Sequence, residues 1–229
     1  MRYALYFTPP ADDPLTRSAA QWLGRDAFSG ETIAIEAADA FPAGTMASLT
    51  ADPRRYGFHA TLKAPFELAP DRTEAELIAA FEGFCAVHPA FDIPSIVVGQ
   101  LGPFFALIPA ETQPPLQDFA TAVVETFEPF RAALTDADIA RRKPERLSET
   151  QRAYLLRWGY PYVREEFRFH MTLTGPVEPE QADAMRELAS SRFAAFTNKP
   201  LQISGLALFI EPERGAPFTV HTWQPLTGA

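Results

Sequence analysis

The chain has 229 residues, of which 47% are hydrophobic and 21% charged, the balance of a globular protein rather than a disordered one. Its formal net charge of −9 argues against holding long nucleic acid by the backbone, which wants a basic surface. A small anion needs only a local cluster of cations and is not excluded.

The chain opens with a strand in which Tyr3, Leu5 and Phe7 alternate, stopped by Pro9-Pro10. That opening is too short for a signal peptide. No apolar run approaches the roughly 18 residues that span a bilayer, and the single Cys85 excludes an internal disulfide. We therefore expect a cytoplasmic protein with no membrane partner. Asp13-Pro14 reads as a cap and first-turn proline for a helix through Leu23. Residues 29–53 show weak periodicity and read as loop with one short helix. A strand follows from Tyr56 to Lys63, then a helix announced by the capping box Thr73/Glu76. Ile93–Val98 and Phe104–Ile108 read as a hairpin. A helix over Leu116–Phe127 and the basic run Arg141-Arg142-Lys143 form the connection between halves. The run reads as an exposed loop that could fold over a cleft and clamp a phosphate. The second half repeats the order. A helix capped by Ser148/Gln151 ends near Gly159, and a strand runs from Phe167 to Thr174. A helix carrying Ala182, Met185 and Leu188 comes next, and Leu201–Ile210 with Phe218–Trp223 closes as a second hairpin.

The two strands at the centre of this order repeat one motif. Phe58-His59-Ala60-Thr61-Leu62-Lys63-Ala64-Pro65 recurs as Phe169-His170-Met171-Thr172-Leu173-Thr174-Gly175-Pro176, about half the chain length further on. A repeat at that period predicts a duplication with two lobes facing one another, interleaved and fused into one unit over residues 1–229. In a strand, residues two apart share a face. One face of each strand is then apolar, and the other carries histidine, hydroxyl and cation: Arg55, His59, Thr61 and Lys63 in the first, Arg168, His170 and Thr172 in the second. Two imidazoles and two hydroxyls brought together form a candidate acid–base site with its own anion contacts. His88 and His221 lie outside the motif and read as structural.

The paired His-x-Thr strands, each with an aromatic before the histidine and a leucine after the threonine, resemble the two-histidine phosphoesterase superfamily. Its members include RNA 2′,3′-cyclic phosphodiesterases and 2′-5′ RNA ligase-like proteins. The wider texture, from Arg2-Tyr3-Ala4-Leu5-Tyr6-Phe7 through Arg55-Tyr56-Gly57-Phe58-His59 to Arg157-Trp158-Gly159-Tyr160-Pro161, resembles a phosphonate-metabolism-associated branch of it. The resemblance implies a bilobal α+β fold with two antiparallel sheets around a central cleft and helices outside. It implies His59 and His170 as catalytic residues and Thr61 and Thr172 as phosphate-binding hydroxyls. Arg55, Lys63 and Arg168 are added as substrate contacts on strand phase alone.

The reaction expected is opening of a small cyclic phosphodiester, one histidine taking a proton from water and the other giving one to the leaving oxygen. It calls for no metal and no cofactor. The expected partner is a small phosphorylated molecule, either a phosphorylated ribose cyclic phosphate or a nucleoside 2′,3′-cyclic phosphate. An RNA end is a less favoured alternative. A non-catalytic sensor of sugar phosphates is the rival from another class. Neither the oligomeric state nor which histidine acts as base is readable at this level.

Overall fold

The computed structural model describes residues 1–38 and 40–228. Nine strands and eight α-helices among them form an α+β fold with two antiparallel sheets. The strands are β1 (Arg2–Phe7), β2 (Ala60–Phe66), β3 (Phe91–Ile93), β4 (Ile96–Leu101), β5 (Phe104–Pro109), β6 (Met171–Thr172), β7 (Leu201–Ile203), β8 (Gly205–Glu211) and β9 (Thr219–Pro225). The large sheet runs β4-β5-β6-β2-β1-β8-β9, and β3 pairs with β7 in the small one.

The two motif strands are neighbours at the middle of the large sheet. They meet through a single residue pair, Ala60 with Met171, whereas β4–β5 and β1–β8 are joined over five or six pairs. The sheet is thus two antiparallel halves, β9-β8-β1-β2 and β6-β5-β4, joined at the motif. The hairpin from the first half of the chain lies beside the second motif strand. The hairpin from the second half lies beside β1, next to the first motif strand. Each expected hairpin carries a short extra strand, cut off by Pro94 in one case and Ser204 in the other, and these two pair as β3–β7.

The helices are α1 (Pro14–Leu23), α2 (Ala43–Leu49), α3 (Ala51–Tyr56), α4 (Glu74–Val87), α5 (Pro114–Phe127), α6 (Asp136–Arg141), α7 (Glu149–Trp158) and α8 (Ala182–Arg192). Capping explains their starts. The Asp13 carboxylate accepts from the Leu15 amide at 2.7 Å, and Thr73/Glu76, Thr135/Asp138 and Ser148/Gln151 form reciprocal capping boxes. Trp22 of α1, Phe81 of α4, Val123 of α5 and Met185 of α8 pack with Leu5 and Met171 of the sheet in one core cluster that draws on both halves of the chain. A smaller cluster, with Tyr6, Phe209 and Phe218, lies apart from it. No helix among the described residues is long and apolar enough to cross a membrane.

Two expectations fail locally. The stretch 29–53 holds the start of a helical pair, α2 and α3, and α3 takes Arg55 and Tyr56 out of the first motif strand. It ends at Gly57, whose φ of 78° and ψ of 174° define a region open essentially to glycine alone. The strand therefore begins at Ala60, not Tyr56. The second motif strand is shorter still, because a 3₁₀ turn at Arg164–Glu166 precedes it and only Met171 and Thr172 find ladder partners.

Candidate active site

The register between β2 and β6 assembles the site. In an antiparallel pair centred on Ala60 and Met171, Thr61 lies opposite His170, and His59 opposite Thr172. Ala60 and Met171, both fully buried, point to the core, so the two histidines and two threonines share the other face. Thr61 and His170 line one cleft of about 640 Å³ together with Arg168, Gln151, Tyr160 and Tyr162.

The repeat in sequence is a repeat in local geometry. The His59 Nδ1 donates to the Gly57 carbonyl at 2.9 Å, and the His170 Nδ1 donates to the Arg168 carbonyl at 2.7 Å. In both cases the acceptor is the carbonyl two residues earlier. A carbonyl only accepts, so each neutral ring carries its proton on Nδ1 and presents the lone pair of Nε2. The Nε2 of His59 lies 3.1 Å from the Thr61 hydroxyl, which donates to it.

The surroundings of the two rings differ. His59 stacks on Tyr6, with centroids 3.9 Å apart and planes 26° from parallel, and has Tyr56 at 6.0 Å. Burial, opposed by the Gly57 hydrogen bond and reinforced by the charge of His170, holds its pKa down at about 4. His170 has Phe104 at 5.8 Å. Burial lowers its pKa as well, against the pull of the Arg168 carbonyl. In the unliganded protein at neutral pH both imidazoles are uncharged.

The cations divide. Arg168 is exposed and lines the cleft beside His170. Lys63 does not reach it. Tyr6 of β1 pairs with Thr61, but Leu5 pairs with Lys63, so β2 carries one extra residue at this point. Such a bulge resets the alternation. Lys63 points inward beside Leu5, 3% exposed, where its Nζ meets the Glu128 carboxylate at 2.8 Å and the Val124 carbonyl at 3.2 Å. Arg55, on α3, binds the buried Glu211 at 2.9 Å and covers the Tyr56 ring at 4.2 Å. It lines a neighbouring cavity and not the cleft. Strand phase thus fails for both of these residues, through a bulge in one case and a helix in the other.

His221 pairs with Glu74 at 3.4 Å and His88 stacks on Phe84 at 3.8 Å. Cys85 is buried, its thiol pushed up to about 12 by desolvation. Among the described residues no group of three or more His, Cys, Asp or Glu side chains is placed to hold a metal ion. Sequence reasoning missed Tyr6 as the floor under His59, although both were read on strands. It also missed the polar lining from Gln100, Gln151 and Glu166, in which the Gln151 amide donates to Glu166 at 2.8 Å.

A family model described as "Protein of unknown function (DUF1045)" matches residues 61–219, a span that contains Thr61 and the whole second motif. The chain belongs to this family. It is also similar to the ribose 1,5-bisphosphate phosphokinase PhnN of Janthinobacterium sp. (strain Marseille), 41% identical over 234 residues that cover 99% of this chain and 51% of that protein. It is 34% identical over 229 residues to the protein of the same name from Laribacter hongkongensis (strain HLHK9), covering 95% and 50% respectively. This DUF1045 chain spans about half the length of the curated relatives it matches. Among solved structures, TT0787 of Thermus thermophilus aligns over 100% of this chain and 99% of its own, at 13% identity and a TM-score of 0.47. A chain described as a phosphoesterase aligns over 99% and 98%, at 15% identity and a TM-score of 0.42.

Proposed function

We propose that this chain is a phosphoesterase of the two-histidine type that opens a small cyclic phosphodiester. The observation that carries the reading is the register of β2 against β6, which sets His59 beside Thr172 and His170 beside Thr61 on one face, with the proton of each neutral imidazole held on Nδ1 so that Nε2 is the basic nitrogen. A sensor that only binds a phosphate has no use for two tautomer-fixed imidazoles.

In this reading the phosphoryl group sits between the two motif strands. The Thr61 hydroxyl, turned from His59 Nε2 to the substrate, joins the Thr172 hydroxyl and Arg168 in holding its non-bridging oxygens as charge builds on them. His59, firmly neutral at pH 7, acts as base: its Nε2 takes a proton from water as the water oxygen bonds to phosphorus. His170, protonated on Nε2 once an anion occupies the cleft, gives that proton to the ring oxygen as its bond to phosphorus breaks. The product is a phosphate monoester with a free hydroxyl, and solvent exchange returns the two protons to their starting places. Each proton transfer contributes on the order of 10²–10⁴-fold.

The names carried by the relatives supply a substrate class. They are described as acting on ribose 1,5-bisphosphate, and this chain has no Gly-Lys pair, so the Gly-x₄-Gly-Lys-Ser/Thr phosphate loop has no counterpart in it. A cyclic phosphate of a phosphorylated ribose, as arises in phosphonate breakdown, joins that chemistry to the two-histidine site. Nucleoside 2′,3′-cyclic phosphates are the second choice.

The test is phosphorus NMR of ribose 1,2-cyclic phosphate 5-phosphate and nucleoside 2′,3′-cyclic phosphates with the protein in EDTA, beside folded His59→Ala and His170→Ala variants. Ring opening abolished in both variants is expected. Turnover that survives both substitutions, or turnover that needs added metal, would refute the mechanism.

A further inference from the structure

Beside the cleft lies a second cavity of about 440 Å³ whose lining includes Arg2, Arg55, Arg141, Arg142 and Arg214. These residues come from β1, α3, the end of α6 and the β8–β9 turn. Such a concentration of positive charge is out of keeping with a chain of net charge −9. Part of it is structural. Glu211, fully buried, is paired by both Arg2 and Arg55, and Asp138 is shared by Arg141 and Arg214, the latter also bound to Glu67. Five guanidinium groups against three carboxylates leave the cavity with an excess of two positive charges. Arg142 has no carboxylate partner among the described residues. It is exposed, and its guanidinium lies 4.9 Å from the centre of the Tyr160 ring.

Tyr160 and Tyr56 connect this cavity to the active site. Tyr160 lines the cleft with Thr61 and His170, with Arg142 against its ring. Tyr56 lines the arginine cavity and stands 6.0 Å from His59 and 4.2 Å from the Arg55 guanidinium. Each of these two arginines is therefore one aromatic ring away from the cleft or from His59.

We propose that the five-arginine cavity is a second anion subsite, which holds a phosphate monoester of the same molecule whose cyclic phosphate lies between His59 and His170. The substrate is then a doubly phosphorylated sugar, and the subsite selects it over an unphosphorylated analogue. Guanidinium groups suit this task because they bind phosphate oxygens in pairs and stay charged at any working pH. Arg142 is the free donor, while Arg2 and Arg55 are held in place by Glu211. This assignment rests on the cyclic phosphodiesterase reading above.

The test compares ribose 1,2-cyclic phosphate 5-phosphate with ribose 1,2-cyclic phosphate lacking the 5-phosphate, using Arg142→Gln and the Arg141→Gln/Arg142→Gln double variant. Both side chains are exposed, so neither substitution uncovers the buried Glu211. The ratio of kcat/KM for the two substrates is expected to fall at least about tenfold in Arg142→Gln and further in the double variant. Equal losses on both substrates, or an unchanged ratio, would overturn the proposal. Calorimetry with ribose 5-phosphate reads the subsite even if no cyclic ester is turned over. Binding weakened in Arg142→Gln supports the subsite while the catalytic reading falls, and equal binding overturns the subsite.

Discussion

An anion in the cleft should raise the proton affinity of His59, the more deeply shielded of the two imidazoles. In the free protein burial holds its pKa at about 4. A phosphoryl oxygen bonded to the Thr61 hydroxyl, itself 3.1 Å from Nε2, places a negative charge about 5 Å from the ring. At an effective dielectric constant of about 20 that charge favours the imidazolium by about 3 kcal/mol, or about two pH units. His59 should therefore move from about 4 to about 6 when the cleft is filled. The sign follows by linkage. Between those two values the occupied state carries a proton on His59 that the empty state does not, so His59 contributes a rise in affinity of about a hundredfold as pH falls from about 6 to about 4, beyond any contribution of His170 at higher pH. The assay is a pH titration of the imidazole Cε1–H resonances, assigned with His59→Gln. It is run with and without saturating dimethyl phosphate, a diester that stays anionic throughout. A free-protein pKa near the ordinary value of about 6.5 would refute the claim that burial governs this ring. A depressed pKa that does not move when the ligand binds would refute its placement beside the phosphate.

Two further outcomes follow from the local packing. Lys63→Met removes one cation from Glu128 but leaves Arg131, bonded to it at 2.6 Å, and should change stability by less than about 1 kcal/mol with KM unaltered. Glu128→Gln instead strands a buried ammonium and should cost about 3 kcal/mol in urea denaturation. A raised KM in folded Lys63→Met would restore Lys63 as a substrate contact. Gly57→Ala puts a methyl group 2.4 Å from the Ala27 Cβ, at a φ of +78°. It should cost about 2 kcal/mol or more and lower kcat, because the Gly57 carbonyl anchors His59 Nδ1. A melting temperature and kcat equal to wild type would show that this turn does not position the ring.

The histidine–threonine pairs were legible because their signal is local: period-two alternation places i and i+2 together in any strand. The capping boxes at Thr73, Ser148 and their partners were legible for the same reason. What failed was the extrapolation of phase beyond the motif. Arg55 lies only four residues before His59, yet Gly57 ends a helix between them, and Lys63 lies two residues after Thr61, yet a bulge intervenes. Neither device has a periodicity to detect. Aromatic residues at the density of Tyr160 and Tyr162 more often close a core than line a cleft, and nothing local distinguishes the two; here Tyr162 is 45% exposed and both line the cleft. The arginine cavity draws on segments as far apart as Arg2 and Arg214, and only the closure of the sheet brings them together.

The duplicated motif supplies two chemically equivalent units, each an imidazole fixed by the carbonyl two residues before it. Equivalence alone would make a poor acid–base pair, because general acid–base catalysis of one displacement needs one ring charged and the other neutral. The difference has to come from what the two halves do not share. His59 is stacked on Tyr6, accepts from Thr61 and sits under the Tyr56 ring, all of which keep water away and the proton off. Among the described residues, His170 has the tilted Phe104 as its one close aromatic partner and lies on the cleft wall next to the exposed Arg168. When an anion enters, both rings gain affinity for a proton, but His170 starts with the lighter shielding and takes it first. A second proton on His59 would then have to form beside an imidazolium, which opposes it. In the proposed mechanism, sequence symmetry thus provides the two proton-transfer groups, and the asymmetric packing around them favours His170 as acid and His59 as base.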